Sequence, residues 1–177
     1  MSIAQGMLAE FDNEMANTRK TLERLPEDKL EWKPDPKSMS MGRLAGHVAE
    51  MVGWGTLALT ADSFDLDPDG KGSHKPLIAT SRKQVLAEFD KGAAAAREAL
   101  AKAPDSGMMT EWSLKANGHT LLSMPRIAVI RSMVMNHIID HRAQLTVYYR
   151  LNGIPVPALY GPSADEGQMP LAADTTA

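Results

Sequence analysis

Residues 123–151, SMPRIAVIRSMVMNHIIDHRAQLTVYYRL, carry the clearest periodic pattern in this chain of 177 residues. Ser123 is predicted to cap a helix that has Pro125 in its first turn, and Asn152 with Gly153 is predicted to end it. Apolar residues recur three or four positions apart, which is typical of one buried helical face. The members of that face are Ile127, Ile130, Val134, Ile138, Leu145 and Tyr148. The stretch therefore predicts one long amphipathic helix.

Three more segments of the chain have a helical period. Ser2 with Gln5, and Ser81 with Gln84, have the spacing of a capping box at a helix start. The three helices are predicted over about residues 2–25, from Ser40 to about Ala61, and from Ser81 to just before Pro104. A long connection at 62–80 has no apolar period. Four helices with very little strand signal predict an all-α fold, a four-helix bundle of residues 1–153.

Two segments fall outside these helices. Residues 105–122 are mixed, and the pair Asn117 and Gly118 has the position of a turn, so a short irregular or hairpin insertion is predicted before the last helix. Residues 154–177 are rich in proline and glycine at first and are predicted to form an extended arm along the bundle. Its last residues, LAADTTA, are expected to be frayed.

The amino-acid composition and charge argue against several classes of partner and metal site. A chain that is 44% hydrophobic and 23% charged is typical of one soluble domain, and a net charge of -3 without a dense lysine or arginine cluster argues against nucleic acid as a partner. The start of the chain lacks the pattern of a signal peptide, and Arg126 and Arg131 interrupt the longest apolar stretch. We therefore expect a cytoplasmic protein without a membrane partner. The absence of cysteine means that any metal must be bound by nitrogen and oxygen ligands.

Three histidines fall on predicted core faces. His137 and His141 are four apart on the last helix, and His47 lies on the inward face of the second helix in GRLAGHVAEM. An i, i+4 pair projects from adjacent turns of one face, so two ring nitrogens can converge on a single ion. Three nitrogen ligands from two helices would leave a coordination position for water or substrate. The alternative is that each is a core histidine bonded to an ordinary protein acceptor.

Two further motifs are weaker. DLDPDG at 65–70 matches the opening of an EF-hand calcium loop, but the twelfth position is Pro76 where a bidentate glutamate is needed, so a solvated turn is the better interpretation. HIIDH is similar to the H-x-x-E-H of inverted zinc peptidases, yet Asp140 is shorter than glutamate and fits a supporting or surface acid better. His74 and His119 are assigned no role.

Three other side chains are candidates for supporting roles. Glu50, one turn beyond His47, could orient a ligand or act as a base, or it could be a solvated surface residue. Gln144 lies one turn past His141, and Tyr160 lies in the predicted arm. Either of these two could hold substrate or merely pack.

The segments GHVAEM, HIIDHRAQL and YGPSADE resemble the DinB-like family, whose members are mostly uncharacterised and are regarded as metalloenzymes. The resemblance extends from the first helix to Glu166. It implies an up-down-down-up four-helix bundle, commonly a homodimer, with a divalent ion such as nickel or zinc held by His47, His137 and His141. Some relatives are similar to transferases or isomerases that use a low-molecular-weight thiol.

The expected chemistry follows from a three-histidine site with open positions. Such a site can polarise a carbonyl or lower the pKa of a bound water or thiol, so we expect a metal-dependent hydrolase or thiol transferase acting on a small-molecule substrate. The competing hypothesis is a non-catalytic bundle that binds metal structurally and dimerises. Iron-dependent oxygen chemistry would need a carboxylate beside two histidines, and the sequence places none there.

Overall fold

The computed structural model describes residues 2–72 and 75–167, and within them it contains four long helices and a small sheet. In chain order the elements are α1 (Ile3–Leu22), a 3-10 turn (Glu27–Lys29), α2 (Met41–Thr60), β1 (Ser63–Asp65), α3 (Arg82–Lys102), α4 (Asp105–Met108), β2 (Glu111–Ala116), β3 (His119–Pro125), α5 (Arg126–Ala128), a π-helical segment (Val129–Asn136) and α6 (His137–Leu151). The last three form one continuous helix, residues 126–151, here called the C-terminal helix. None of these described helices has the length and apolarity needed to cross a bilayer.

The predicted helix starts are confirmed for the first three helices. Ser2 and Gln5 form a complete capping box on α1, because each side chain bonds the backbone of the other. The Ser40 hydroxyl caps α2. Ser81 caps α3 by accepting from the Gln84 N–H, but the Gln84 side chain turns away from Ser81 and accepts from the preceding residue instead. Local hydrogen bonding therefore sets these three starts.

The C-terminal helix runs parallel to α1. Arg142 donates to the backbone carbonyl of Glu14 at 3.0 Å, and about two turns further along both helices Tyr149 donates to the carbonyl of Thr21 at 3.0 Å. Residue numbers therefore increase in the same direction along both helices at successive contacts. These contacts cross a buried interface and replace the hydrogen bonds that the polar groups would make with water.

α3 runs antiparallel to α1. Its residue Asp90 pairs with Arg19, near the end of α1, while Arg97 further along α3 pairs with Asp12. All four side chains are about half exposed. Exposed pairs of this kind contribute little stability, so they mark the helix direction more than they hold the helices together.

α2 lies between α3 and the C-terminal helix. It is parallel to α3, since Gly92 packs against Val52 and Ala96 against Gly55, and antiparallel to the C-terminal helix, since Ala58 faces Arg126 while His47 faces the far end. The four helices therefore run up, down, down and up. Buried side chains from all four fill the space between them, among them Phe11, Leu22, Met51, Val52, Phe89, Leu100, Ile130 and Leu145.

The prediction of an all-α fold is wrong, because the described residues also form a three-stranded mixed sheet. β1 pairs in parallel with β2, and β2 pairs antiparallel with β3, in the order β1-β2-β3. Asn117 and Gly118, both at positive φ, make the hairpin turn between β2 and β3. β1 was missed because it is only three residues long and pairs with a segment some fifty residues away, which no local period reveals.

The predicted start of the last helix is also wrong. Ser123 lies in β3 opposite Ser113, and its hydroxyl bonds Glu111 rather than a helix N–H. The helix begins at Arg126, directly after Pro125. The Arg126 guanidinium is buried and satisfies carbonyl groups at the end of α2. Strand pairing with β2 therefore outweighs the local capping signal at Ser123.

Residues 154–167 lie against the bundle. Asp165 accepts from the Arg150 guanidinium and from the Val156 N–H, and the Tyr160 hydroxyl donates to Glu14 on α1. These contacts connect the segment to both α6 and α1. The final stretch LAADTTA, expected to be frayed, lies outside the described residues, as does His74.

Candidate metal centre

The three histidines singled out from the sequence lie together. The ring centroid of His47, on α2, is 5.4 Å from that of His137 and 5.0 Å from that of His141, and the two α6 rings are 4.7 Å apart. One ring nitrogen from each residue can be chosen so that all three lie within 4.8 Å of one another. The three histidines therefore form a compact cluster between the antiparallel helices α2 and α6, as their positions in the sequence predicted.

The burial of the cluster is uneven. His47 is buried, whereas His137 and His141, which the helical period places on the core face, are half-buried. On α6 the fully buried positions belong to Ile138 and Arg142. The π-helical segment just before α6 has hydrogen bonds one residue longer than those of an α-helix, which rotates the downstream face relative to a regular period. The cluster consequently lies at the edge of the core, with access from one side.

Neighbouring side chains fix which ring nitrogens are available. The Nδ1 atom of His47 is 2.9 Å from Glu50 Oε1, and the Nδ1 atom of His141 is 3.1 Å from Gln144 Oε1. Each Nδ1 is therefore assigned the proton that it donates to a side-chain oxygen, which leaves Nε2 with its lone pair. Asp140 supports this arrangement by accepting from the Gln144 amide at 2.8 Å. This is the pattern in which outer carboxylate or amide oxygens orient metal-binding histidines.

The geometry of the pair on α6 fits a shared cation. The Nε2 atoms of His137 and His141 are 3.0 Å apart. Two nitrogens bound at about 2.0–2.1 Å to one ion are about 2.9 Å apart at a right angle and about 3.4 Å apart at a tetrahedral angle. The observed separation lies within that range. The donor set, three imidazoles without a thiolate, suits zinc, nickel and related divalent metals.

Electrostatics favour the form of His137 that binds metal. Burial lowers the pKa of this imidazole, and the neighbouring His141 and His47 rings lower it further. A histidine must be neutral to donate a lone pair, so this shift keeps His137 available as a ligand near neutral pH.

Glu50 holds the His47 ring in place through a hydrogen bond from its Nδ1 atom. Burial raises the pKa of Glu50, but hydrogen bonds from His47 and the Leu77 N–H and the charge of Arg43 outweigh burial and leave the pKa below its usual value. Arg43 lies 3.1 Å from the carboxylate, and Leu77 donates to it at 2.8 Å. The solvated surface role considered for Glu50 is therefore wrong. Arg43 was missed from sequence, although its position one turn before His47 is a signal that could have found it.

An apolar cavity of about 170 Å³ adjoins the histidines. His137 forms part of its wall, and so does Trp54, whose ring centroid is 5.7 Å from that of His47 and 5.9 Å from that of His137. Both the cavity and Trp54 were missed from sequence, because the opposite wall forms only when β1, which was not predicted, brings Phe64 beside Trp112 of β2.

The other candidate residues lie in different surroundings. Tyr160 contacts Glu14 and Arg142, and burial together with the Glu14 hydrogen bond raises its pKa. His119 is exposed at the start of β3. In DLDPDG, the Asp65 carboxylate accepts the backbone N–H groups of the β2–β3 turn, so it acts as a turn cap.

Comparison with known proteins shows the family to which this sequence is similar. The sequence model of the DinB superfamily matches residues 10–145. The uncharacterized protein YrdA of Bacillus subtilis is 25% identical over 167 residues, which cover 90% of this chain and 89% of YrdA.

Two crystal structures have the same fold. A DinB-like protein of Bacillus cereus superposes with a TM-score of 0.65 at 26% identity, covering 88% of this chain and 97% of the other. The DinB-like protein YjoA of Bacillus subtilis gives a TM-score of 0.62 at 16% identity, covering 85% and 96%, and this likeness concerns the fold alone.

Proposed function

Because the chain belongs to the DinB superfamily, we propose that it is a metal-dependent enzyme that acts on a small molecule. His47, His137 and His141 would hold one divalent cation, with zinc or nickel the best match to three nitrogen donors. The observation that carries the proposal is the convergence of three ring nitrogens within 4.8 Å. Two of the rings are already oriented by Glu50 and Gln144.

The open side of the cluster supports a catalytic role over a purely structural one. A structural zinc site has four protein ligands and is closed, whereas a catalytic site has three and keeps one position for water or substrate. Here the described residues supply three histidines, and two of them are half-buried. When bound, such a cation polarises a carbonyl or lowers the pKa of a water or thiol. Hydrolysis and thiol transfer are the two reactions that fit this chemistry.

The protein groups around the cluster have roles that the geometry supports. Glu50 would hold the His47 ring in one tautomer and orientation, and Gln144 would do the same for His141. Trp54 covers one side of the cluster and limits the access of water there.

Metal analysis of matched variants tests the proposal. The wild-type protein should contain about one divalent ion per chain, as expected for a single three-histidine site. His137→Ala should lose that ion, while His119→Ala, which changes an exposed histidine, should retain it. Both variants should keep the helical circular-dichroism signal, since the apolar faces form the bundle. Equal metal content in the two variants would contradict the proposal.

A second experiment separates an enzyme from a structural metal protein. Cobalt exchanged into the site should change its visible spectrum on addition of a small thiol if a coordination position is open. Activity should then be measured against simple esters and against thiols paired with electrophiles. A cobalt spectrum that is insensitive to thiol would favour the structural alternative.

A further inference from the structure

The cavity beside the histidines has walls from three parts of the chain. α2 contributes Trp54 and Leu57, the sheet contributes Trp112 and Leu114, and the π-helical segment contributes Met133. No charged side chain lines it within the described residues. A ligand group that enters this space loses its hydration and gains only apolar contacts, so a charged or heavily hydroxylated group would be penalised there.

The cavity and the metal cluster share residues. His137 belongs to both, and the Trp54 ring packs against the His47 and His137 rings while also lining the cavity. A molecule bound at the cluster would therefore lie directly beside the cavity. This shared wall distinguishes the cavity from an isolated packing void.

The size of the cavity sets the size of its occupant. An apolar cavity of roughly 150 Å³ in another protein holds a benzene molecule, and this one measures about 170 Å³. The cavity presents only apolar atoms to its occupant, so the occupant is held by shape and apolar contact and not by a hydrogen bond.

We propose, on the basis of the function proposed above, that the substrate carries a compact apolar group next to its reacting polar group. This apolar group is an aryl ring or a branched alkyl group of about the size of benzene. It occupies the cavity between α2, the sheet and the π-helical segment while the polar group reaches the histidines. The cavity thus selects aryl or alkyl compounds over sugars, phosphates and other strongly hydrated small molecules.

Paired hydroxamic acids test this inference. Acetohydroxamic and benzohydroxamic acid have the same metal-binding group, and only the second has a ring. Titration calorimetry with the zinc-loaded protein should show benzohydroxamic acid binding about 10 to 100 times more tightly, as expected for burial of one phenyl ring. Equal affinities would overturn the inference.

Cavity-filling variants test whether the preference for benzohydroxamic acid depends on the cavity. Leu114→Trp fills the cavity from β2, and its matched control Leu121→Trp makes the same change at a position on β3 that is 59% exposed. The preference for benzohydroxamic acid should disappear in Leu114→Trp and persist in Leu121→Trp, with affinity for acetohydroxamic acid unchanged in both. If Leu114→Trp does not fold, Leu66→Trp fills the same cavity from a loop. A preference that survives filling would refute the proposal.

A probe without a metal-binding group separates this inference from the proposed function. Toluene binding to the metal-free protein, followed by ligand-observed NMR, should be present in the wild type and absent in Leu114→Trp. If the protein binds no metal, the proposed function fails, and toluene binding still shows whether the cavity accepts an apolar ring. Toluene binding without any hydroxamate preference would show that the cavity does not serve the metal site, and absence of toluene binding would overturn the proposal directly.

Discussion

Replacement of Glu50 by glutamine should weaken metal binding without removing a ligand. Glu50 Oε1 is 2.9 Å from His47 Nδ1, so the carboxylate increases the basicity of the ring and fixes its orientation. Glutamine has nearly the same shape and can still accept one hydrogen bond, but it lacks the charge. A hydrogen bond to a charged group contributes about 1.5–3 kcal/mol and a neutral one about 0.5–1.5 kcal/mol. The difference of about 1–1.5 kcal/mol corresponds to roughly tenfold in affinity.

A longer-range effect adds to this difference. The negative charge of Glu50 lies one imidazole ring away from the place where the cation would bind, and loss of that charge removes a favourable interaction with it. Substitution of such outer residues typically lowers metal affinity by about 10 to 100 times. We therefore expect the zinc dissociation constant of Glu50→Gln to rise by about that factor.

Competition with a chromophoric chelator measures the dissociation constant for zinc in each variant. Glu88→Gln, at an exposed position on α3, is the matched control and should bind zinc as the wild type does. Because Glu50 also accepts the Leu77 N–H, thermal unfolding of each metal-free variant should be recorded alongside. If Glu50→Gln binds zinc as tightly as Glu88→Gln, the carboxylate does not support the site and the reasoning is refuted.

Three further predictions concern stability. A Cβ atom at Gly46 would clash with the Leu77 carbonyl oxygen, so Gly46→Ala should displace that segment and lower the free energy of unfolding by about 1–3 kcal/mol in urea titrations; an unchanged midpoint would show that the segment moves freely. Glu14→Ala should cost about 3–5 kcal/mol, because it leaves the Arg142 guanidinium buried without its partner. Asp12→Ala on the same helix removes an exposed pair and should cost at most about 1 kcal/mol, so similar losses in the two variants would contradict the difference expected from burial. Zinc at about 100 times its dissociation constant should raise the unfolding free energy by about 2.7 kcal/mol, and calorimetry without a shift in melting temperature would count against specific binding.

Much of the helical frame could be predicted because its signals are local. The Ser2 and Gln5 capping box and the Ser40 cap involve residues three positions apart, and the structure has both. The end of α6 at Leu151 is marked by Gly153, which adopts a positive φ. Such features depend on neighbours in sequence, so one sequence is enough to reveal them.

The β2–β3 hairpin is local and its Asn117-Gly118 turn could be predicted, whereas β1 could not, because its pairing with β2 is not local. Ser63 pairs with Ser113, and the whole of α3 lies between them in the chain. The residues next to β1 carry no local signal that predicts a strand. At Ser123, the local signal for a helix cap competes with pairing in β3, and the pairing prevails. Tertiary context overrides local preference at both places.

In the candidate site, too, the local features could be predicted and the non-local ones could not. The i, i+4 spacing of His137 and His141 is a local pattern, and it correctly brings these two rings together. Their half-buried state depends on the π-helical segment, which the regular period does not anticipate. The cavity, with Trp54 on one wall and Trp112 on the other, depends on the sheet and so was missed altogether.

The buried Arg126 guanidinium has a consequence for how the histidine-bearing helices can move. It donates to the carbonyls of Ala58 and Ala61 at 2.7 Å each, so it joins the end of α2 to the start of the C-terminal helix. Ala58 is about 16 Å along α2 from His47, at about 1.5 Å per residue. These two hydrogen bonds oppose sliding of α2 along the C-terminal helix. They therefore help to set the level at which His47 faces His137 and His141.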